Sequence, residues 1–109
     1  MLVHIHDGNF ESEIIAAKVP ALVDFGAAWC GPCKQLEPIV KELDQDLGGR
    51  VKIAKVDVDE AQELAARFGI TSVPTIIFFK DGQEAGRSIG LQSRENLQKK
   101  ISSHLGVAL

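Results

Sequence analysis

Cysteines and basic clusters are scarce in this chain, and their scarcity excludes several classes of protein. Only two cysteines occur among 109 residues, too few for the disulfide scaffolds of small secreted domains. The net charge is -3 at pH 7, and because no lysine- or arginine-rich cluster stands out we expect no nucleic-acid partner. No apolar stretch approaches the roughly 20 residues of a membrane-spanning helix, so we expect no membrane partner.

The start of the chain predicts no leader. The first ten residues, "MLVHIHDGNF", contain no basic segment followed by a long apolar stretch, which a secretory signal peptide would have. We therefore expect a cytoplasmic protein. The length of 109 residues fits one domain over residues 1–109, and the lack of an obvious large apolar surface predicts a monomer.

Strand-like and helix-like segments alternate along the chain, which is typical of an α/β domain. Five segments predict strands, namely "LVHI", "ALVDF", "VKIAKVDV", "VPTIIFFK" and "QEAGRSI". The second is continuously apolar apart from one carboxylate, which predicts a strand buried on both faces. Asp81 and Gly82 predict a hairpin between the last two strands. A mixed sheet of about five strands follows.

About four helices are predicted to flank this sheet, from capping residues and apolar spacing. We expect Asn9 to cap the first helix and Ser93 to cap the last. The second helix begins near Gly31 and carries an apolar stripe on one face. Asp59 and Gln62 have the spacing of a capping box and predict the start of the third helix.

The two cysteines, Cys30 and Cys33, lie three positions apart at a predicted helix start, so their sulfurs can reach each other. A disulfide between them would close a very short loop and remove little chain entropy, which favours a chemical role. Free N–H groups at a helix N-terminus stabilise a thiolate, the species that attacks a disulfide. Cys30 is therefore predicted to be the nucleophile. Cys33, one turn inside the helix and expected to be more buried, is predicted to be the resolving thiol.

The residues around the cysteines carry a family resemblance. "WCGPCK", with "VDF" upstream and "KVDVD", "GITSVPTIIFFKDG" and "IG" downstream, resembles the thioredoxin family, and the resemblance covers essentially the whole chain. It implies the thioredoxin fold and the reduction of disulfides in target proteins through a mixed disulfide. It also implies a redox-active Cys30–Cys33 disulfide, no bound cofactor or metal, and re-reduction by a flavin-dependent thioredoxin reductase that draws on NADPH.

The resemblance implies roles for residues near the sulfurs. Asp24 would be the buried carboxylate that accepts the proton of Cys33, with Lys55 as its partner. Gly31 and Pro32 would tune the redox pair. Proline also suits a first helical turn, since the N–H that it lacks would have no partner there.

A docking groove for target proteins is implied in the same way. Pro74 is similar to the family's cis-proline, and Val73 before it would offer backbone hydrogen bonds to a substrate strand. Trp29 and Gly90 would line the groove. Gly26 departs from the family's pattern, because a tryptophan is common at this position.

Other functions fit some of the same residues. His4 and His6 alternate onto one strand face and could join the two cysteines in a tetrahedral zinc site, but a closed zinc site would silence the nucleophile. A disulfide oxidase or isomerase and a non-catalytic binding module are further alternatives. Gly-Pro between the cysteines resembles the reducing members, which ranks the reductase first.

Overall fold

The computed structural model describes residues 2–109, and its centre is a five-stranded mixed sheet. The strand order is β1-β3-β2-β4-β5. Strands β1, β3 and β2 are mutually parallel, whereas β4 runs antiparallel to both β2 and β5. The strands are β1 (Val3–Ile5), β2 (Ala21–Gly26), β3 (Lys52–Asp57), β4 (Thr75–Lys80) and β5 (Gln83–Ile89). The predicted mixed sheet is confirmed.

Four helical segments flank the sheet, as the sequence predicts. Three are α-helices, α1 (Gly31–Leu47), α2 (Gln62–Arg67) and α3 (Arg94–Leu105), and the fourth is a π-helical segment at Glu11–Ile15. Within residues 2–109, none of these helices has both the length and the apolar character needed to cross a lipid bilayer.

The sheet separates two apolar layers. One layer lies under the π-helical segment and α2 and is rich in aromatic side chains, whereas the other lies under α1 and α3 and is mainly aliphatic. Adjacent residues of a strand point to opposite faces, so Phe78 enters the aliphatic layer and Phe79 the aromatic one. Asp24 lies two residues after Leu22 in β2, so the two side chains share the face of the sheet that α1 covers.

Two predicted helix caps are wrong. Asn9 does not cap a helix with its side chain, because Oδ1 accepts from the N–H of His6 and Nδ2 donates to the carbonyl of His4. Nor do Asp59 and Gln62 form a capping box. The N-cap residue of α2 is Ala61, whose side chain makes no capping hydrogen bond. The Ser93 cap is confirmed, because its Oγ accepts from the N–H of Asn96 at 3.1 Å.

Candidate active site

The two cysteines lie at the N-terminus of α1 and are joined by a disulfide. Cys30 occupies the cap position in extended conformation, and its Cα is 5.3 Å from that of Cys33. The N–H of Cys33 donates to the Sγ of Cys30 at 3.2 Å. Gly31 and Pro32 form the first turn between them. A thiolate on Cys30 would therefore meet an oriented N–H donor and the positive end of the helix dipole, which lower a thiol pKa.

Both sulfur-bearing residues are buried, and the expectation that Cys33 is the more buried is wrong. Cys30 is 4% exposed and Cys33 is 9% exposed. The reason lies in what covers each residue. Cys30 packs against Val73, whose carbonyl oxygen lies 3.8 Å from its Sγ. Cys33 borders a cavity beside Gly26, where no side chain covers it.

Apolar side chains near Cys30 form an exposed surface. Trp29 is 70% exposed, and its Nε1 donates to Asp59 Oδ2 at 2.8 Å. The Val73–Pro74 peptide bond is cis, and the carbonyl of Pro74 accepts from the N–H of Gly90 at 2.8 Å. The large side chains on either side of Gly90 are also exposed. We call this the front surface; its exposed residues are Trp29, Ile89 and Leu91, whereas Val73 and Gly90 are half-buried and Pro74 is buried.

Behind the disulfide, Asp24 is held in the central strand β2 and is only 2% exposed. Its Oδ1 has no hydrogen-bond partner in the protein. Burial raises the pKa of the Asp24 carboxyl from 3.8 to about 6, with Lys55 opposing the rise and Glu37 adding to it. A carboxyl with this pKa can exchange a proton close to neutral pH.

Lys55 lies beside Asp24 but forms its ion pair elsewhere. The two residues are register partners of the parallel strands β2 and β3. The Nζ of Lys55 instead lies 3.5 Å from Oε1 of Glu37 on α1. The predicted partnership is therefore corrected. Lys55 acts on Asp24 through its nearby charge, but its ion pair is with Glu37. The carboxylate of Glu37 reaches this lysine because α1 packs over β3.

Glu37 is a site residue that the sequence analysis missed. It is four residues after Cys33 in α1, a spacing that places both on one face and could have revealed it. Lys55 and Lys41 hold the pKa of Glu37 below its usual value. Asp59 was missed as a partner of Trp29, and a separation of 30 residues left no local signal for it.

A cavity of about 460 Å³ opens behind Cys33. Gly26 is part of its wall, and a Cβ built there would lie 3.4 Å from the Sγ of Cys33 and 3.9 Å from Oδ1 of Asp24. Larger side chains at position 26 would therefore enter the cavity. We call it the rear cavity, and the residues that matter for its chemistry are Asp24, Gly26, Cys33, Glu37 and Lys55.

His4 and His6 also border the rear cavity, but their side chains are exposed on the edge strand region. Among residues 2–109, no group of three or more histidine, cysteine, aspartate or glutamate side chains is arranged to hold a metal ion.

Comparison with known proteins agrees with this geometry. The family model described as Thioredoxin matches residues 1–103. A protein named thioredoxin from Bacillus subtilis is 43% identical over 104 residues, which cover 95% of this chain and 98% of that protein. Thioredoxin from Rickettsia felis is 42% identical over 105 residues, covering 96% and 100% of the two chains. Thioredoxin from Staphylococcus saprophyticus is 44% identical over 104 residues, covering 95% and 98%.

The matches extend over nearly the full length of both chains, and the fold and the Cys30–Cys33 disulfide agree with them. The predicted resemblance and the predicted thiol–disulfide oxidoreductase chemistry are therefore confirmed. The chain belongs to the thioredoxin family and is a protein-disulfide reductase with a redox-active cysteine pair.

Proposed function

We propose that this protein reduces disulfides of target proteins through a mixed disulfide on Cys30 that Cys33 then resolves. The observation that carries the proposal is the N–H of Cys33, which donates to Cys30 Sγ at the start of α1. Such a donor stabilises charge on Cys30 in particular. Cys30 also contacts Val73 of the front surface, where a target would dock.

Two exchange steps complete the reaction. The Cys30 thiolate attacks one sulfur of the target disulfide, and the other target sulfur leaves as a thiolate. The Cys33 thiolate then attacks Cys30 Sγ, which releases the second target sulfur and forms the Cys30–Cys33 disulfide. The target gains two electrons, and this protein loses them.

Asp24 is the proposed proton acceptor for Cys33. It is buried on the face of the sheet that α1 covers, and its Oδ1 has no protein donor. Its raised pKa of about 6 leaves most of the carboxyl ionised at neutral pH, ready to take the thiol proton. The charge of Lys55 lowers the pKa of Asp24, and the charge of Glu37 raises it.

Trp29, Val73, Pro74 and Gly90 are the proposed contacts for a docked target, and Gly31 and Pro32 tune the redox pair. Exposed apolar area suits an extended segment of another protein. The oxidised form is proposed to be re-reduced by a thioredoxin reductase, with NADPH and flavin on that partner. We propose a cytoplasmic monomer with one domain over residues 1–109.

Trapping distinguishes the two sulfur roles. Cys33→Ser should accumulate mixed disulfides with a disulfide-containing protein such as insulin, because nothing resolves them. Cys30→Ser, the matched control, should accumulate none. Non-reducing electrophoresis and mass spectrometry measure both. Trapping by Cys30→Ser alone would reverse the assignment.

The direction of electron flow separates the reductase from an oxidase or isomerase of the same fold. At equilibrium with glutathione, the proposed reductase should be largely oxidised even when reduced glutathione is in large excess over glutathione disulfide. Each tenfold change in that equilibrium constant corresponds to about 30 mV. A potential near those of strong oxidants would favour the oxidase. Activity that survives replacement of both cysteines by serine would favour a binding module.

A further inference from the structure

The ammonium group of Lys55 can approach two carboxyl groups on the face of the sheet that α1 covers. Its register partner in β2 is Asp24, and neighbouring strands lie about 4.8 Å apart, so the lysine side chain begins beside this carboxyl. The second carboxyl belongs to Glu37 of α1, whose Oε1 lies 3.5 Å from Lys55 Nζ. One cation is thus shared between a buried carboxyl of the sheet and a partly exposed carboxyl of the helix.

The buried carboxyl is the one without a partner. Asp24 is 2% exposed, and its Oδ1 has no hydrogen-bond partner among residues 2–109. A buried carboxylate loses its hydration, and a cation that comes closer stabilises its ionised form. Lys55 nevertheless pairs with Glu37, so the helix holds the ammonium group away from the carboxyl that would gain most from it.

Glu37 is held in place by a second cation. Its Oε1 also lies 3.4 Å from Nζ of Lys41, one turn further along α1, so a single oxygen is shared by two ammonium groups. Glu37 comes four residues after Cys33, a spacing that places both on one helix face, and both line the rear cavity together with Lys55. The ion pair is therefore part of the wall that also contains the resolving cysteine.

Several titratable groups face the rear cavity, but two of them act on Asp24. Lys55 lowers the pKa of the Asp24 carboxyl, and Glu37 raises it. The register partner of Asp24 in β4 is Ile76, which carries no charge. The remaining titratable residues of the wall are His4 of β1, His6, Cys33 and Lys34 of α1, Asp57 of β3, and Glu60. A change at Glu37 therefore reaches Asp24 through Lys55 or through its own charge.

We propose that Glu37 is a positioning residue that holds the ammonium group of Lys55 away from Asp24 and so keeps this carboxyl an effective base for Cys33 near neutral pH. Without Glu37, the ammonium group moves towards Asp24 and stabilises the ionised carboxylate, which becomes a weaker proton acceptor. This inference rests on the proposed transfer of the Cys33 proton to Asp24 and adds to it a helix residue that acts through Lys55.

The resolving step can be timed apart from the first attack. The reduced protein is mixed with excess 2,2′-dithiodipyridine, a neutral disulfide whose thiopyridone product absorbs light. Attack by Cys30 releases one thiopyridone at a rate that depends on reagent concentration. Cys33 then passes its proton to Asp24 and attacks Cys30 Sγ, which releases the second thiopyridone at a rate independent of that concentration. The reagent gains the two electrons that the protein dithiol loses.

Stopped-flow absorbance measures the second release on both sides of pH 6, about the pKa of Asp24. Glu37→Gln should shift the acid limb of this profile down by about half a pH unit, a release about threefold faster on that limb. A cation that arrives from far away moves a pKa by about 1–3 units, and the shift is smaller here because Lys55 already acts on Asp24 in the wild type.

Lys41→Gln is the matched control for Glu37→Gln. It removes the other cation that pairs with Glu37 and leaves the pair with Lys55 in place. The acid limb should therefore stay where it is in the wild type. Circular dichroism verifies that each variant is folded.

Two backgrounds show whether Lys55 carries the effect to Asp24. In Lys55→Gln, Glu37→Gln should shift the limb by less than half as much, because only the direct effect of its charge remains. In Asp24→Asn it should shift the limb little, because the carboxyl that it controls is absent. An unshifted limb in Glu37→Gln alone overturns the positioning role, and so does a shift of half or more of the wild-type shift in either background.

Cys33→Ser separates this inference from the proposed function. It should lack the second release, because no thiol is left to resolve the mixed disulfide. If it does lack that release while Glu37→Gln leaves the limb unshifted, the positioning role is rejected and the resolving role of Cys33 is retained. A second release that persists in Cys33→Ser would reject both.

Discussion

The front surface and the rear cavity meet the same disulfide from different directions and with different chemistry. The front surface is apolar and partly exposed, and it contacts Cys30 through Val73. The rear cavity is lined by charged groups, and it borders Cys33 beside Gly26. Two identical side chains, one helical turn apart, thereby come to lie in unlike surroundings.

This difference supports the separate roles that are proposed for the two cysteines. At the front, backbone groups stabilise a thiolate and apolar area suits a docked protein. At the rear, a buried carboxyl can take a proton without touching the docked target. Three substitutions test this division.

Replacing Asp24 should have the largest effect, on stability. Its pKa rises from 3.8 to about 6 on folding, so the unfolded chain releases the proton first as pH increases. Stability therefore falls between those two pH values, and the full penalty, about 3 kcal/mol, is present above pH 6. Asp24→Asn should stabilise the oxidised protein by up to this amount at pH 8.

Urea unfolding at pH 8 and at pH 3.5 measures the effect. The gain should largely disappear at the lower pH, where the folded wild-type chain carries the proton and most unfolded chains do as well. Asp57→Asn, in the same cavity wall but with no buried carboxyl, is the matched control. An equal gain from Asp24→Asn at both pH values would show that burial of charge is not its cause.

At the front surface, Trp29→Ala should weaken the docking of target proteins. The ring is 70% exposed, so its loss costs the folded protein little but removes contact area from the complex. We expect KM for insulin to rise about tenfold, or about 1.4 kcal/mol. Steady-state kinetics measures this KM, with a chemical reductant regenerating the dithiol of Cys30 and Cys33.

Asp59→Asn is the control for that variant, because it keeps the Trp29 ring and removes only the charge of its hydrogen-bond acceptor. Its KM should change less. A fall in kcat with unchanged KM in Trp29→Ala would contradict a docking role and would instead place the ring in the exchange step.

The smallest effect is expected from Glu37→Gln at the rear. The Glu37 charge raises the pKa of Asp24, so its removal should lower that pKa. The freed Lys55 would act in the same direction, since its charge also favours the ionised carboxyl. NMR titration of the Asp24 carboxyl carbon measures the change. Lys41→Gln, which alters the other cation paired with Glu37, is the matched control and should change it less.

Much of this architecture follows from local sequence signals. Continuous apolar residues predicted the buried strand β2, and Asp81-Gly82 predicted the β4–β5 hairpin, because strand burial and turn chemistry are properties of neighbouring residues. The cysteine spacing predicted the pair at the start of α1. The placements of Asp24 and Pro74 came from family resemblance, since no local rule identifies a buried base or a cis bond.

The failed predictions depend on contacts that are distant along the chain. The Asp59 carboxylate accepts from Trp29, and α2 begins only at Gln62 with Ala61 at its N-cap, so Asp59 does not occupy the capping position. Asn9 bonds to the segment that precedes it. Lys55 pairs with Glu37 because α1 brings that carboxylate over the sheet. The relative exposure of the cysteines depended on Gly26, whose cavity appears only when strand and helix are packed together.

The central position of β2 has a consequence for how the site moves. Asp24 has β3 on one side and β4 on the other, so no edge of the sheet can fray to release it. Amide groups in such strands exchange with deuterium mainly when the whole domain opens. We therefore expect the carboxyl that is proposed to accept the proton of Cys33 to lie in the slowest-exchanging part of the molecule, and the edge strands β1 and β5 to exchange faster.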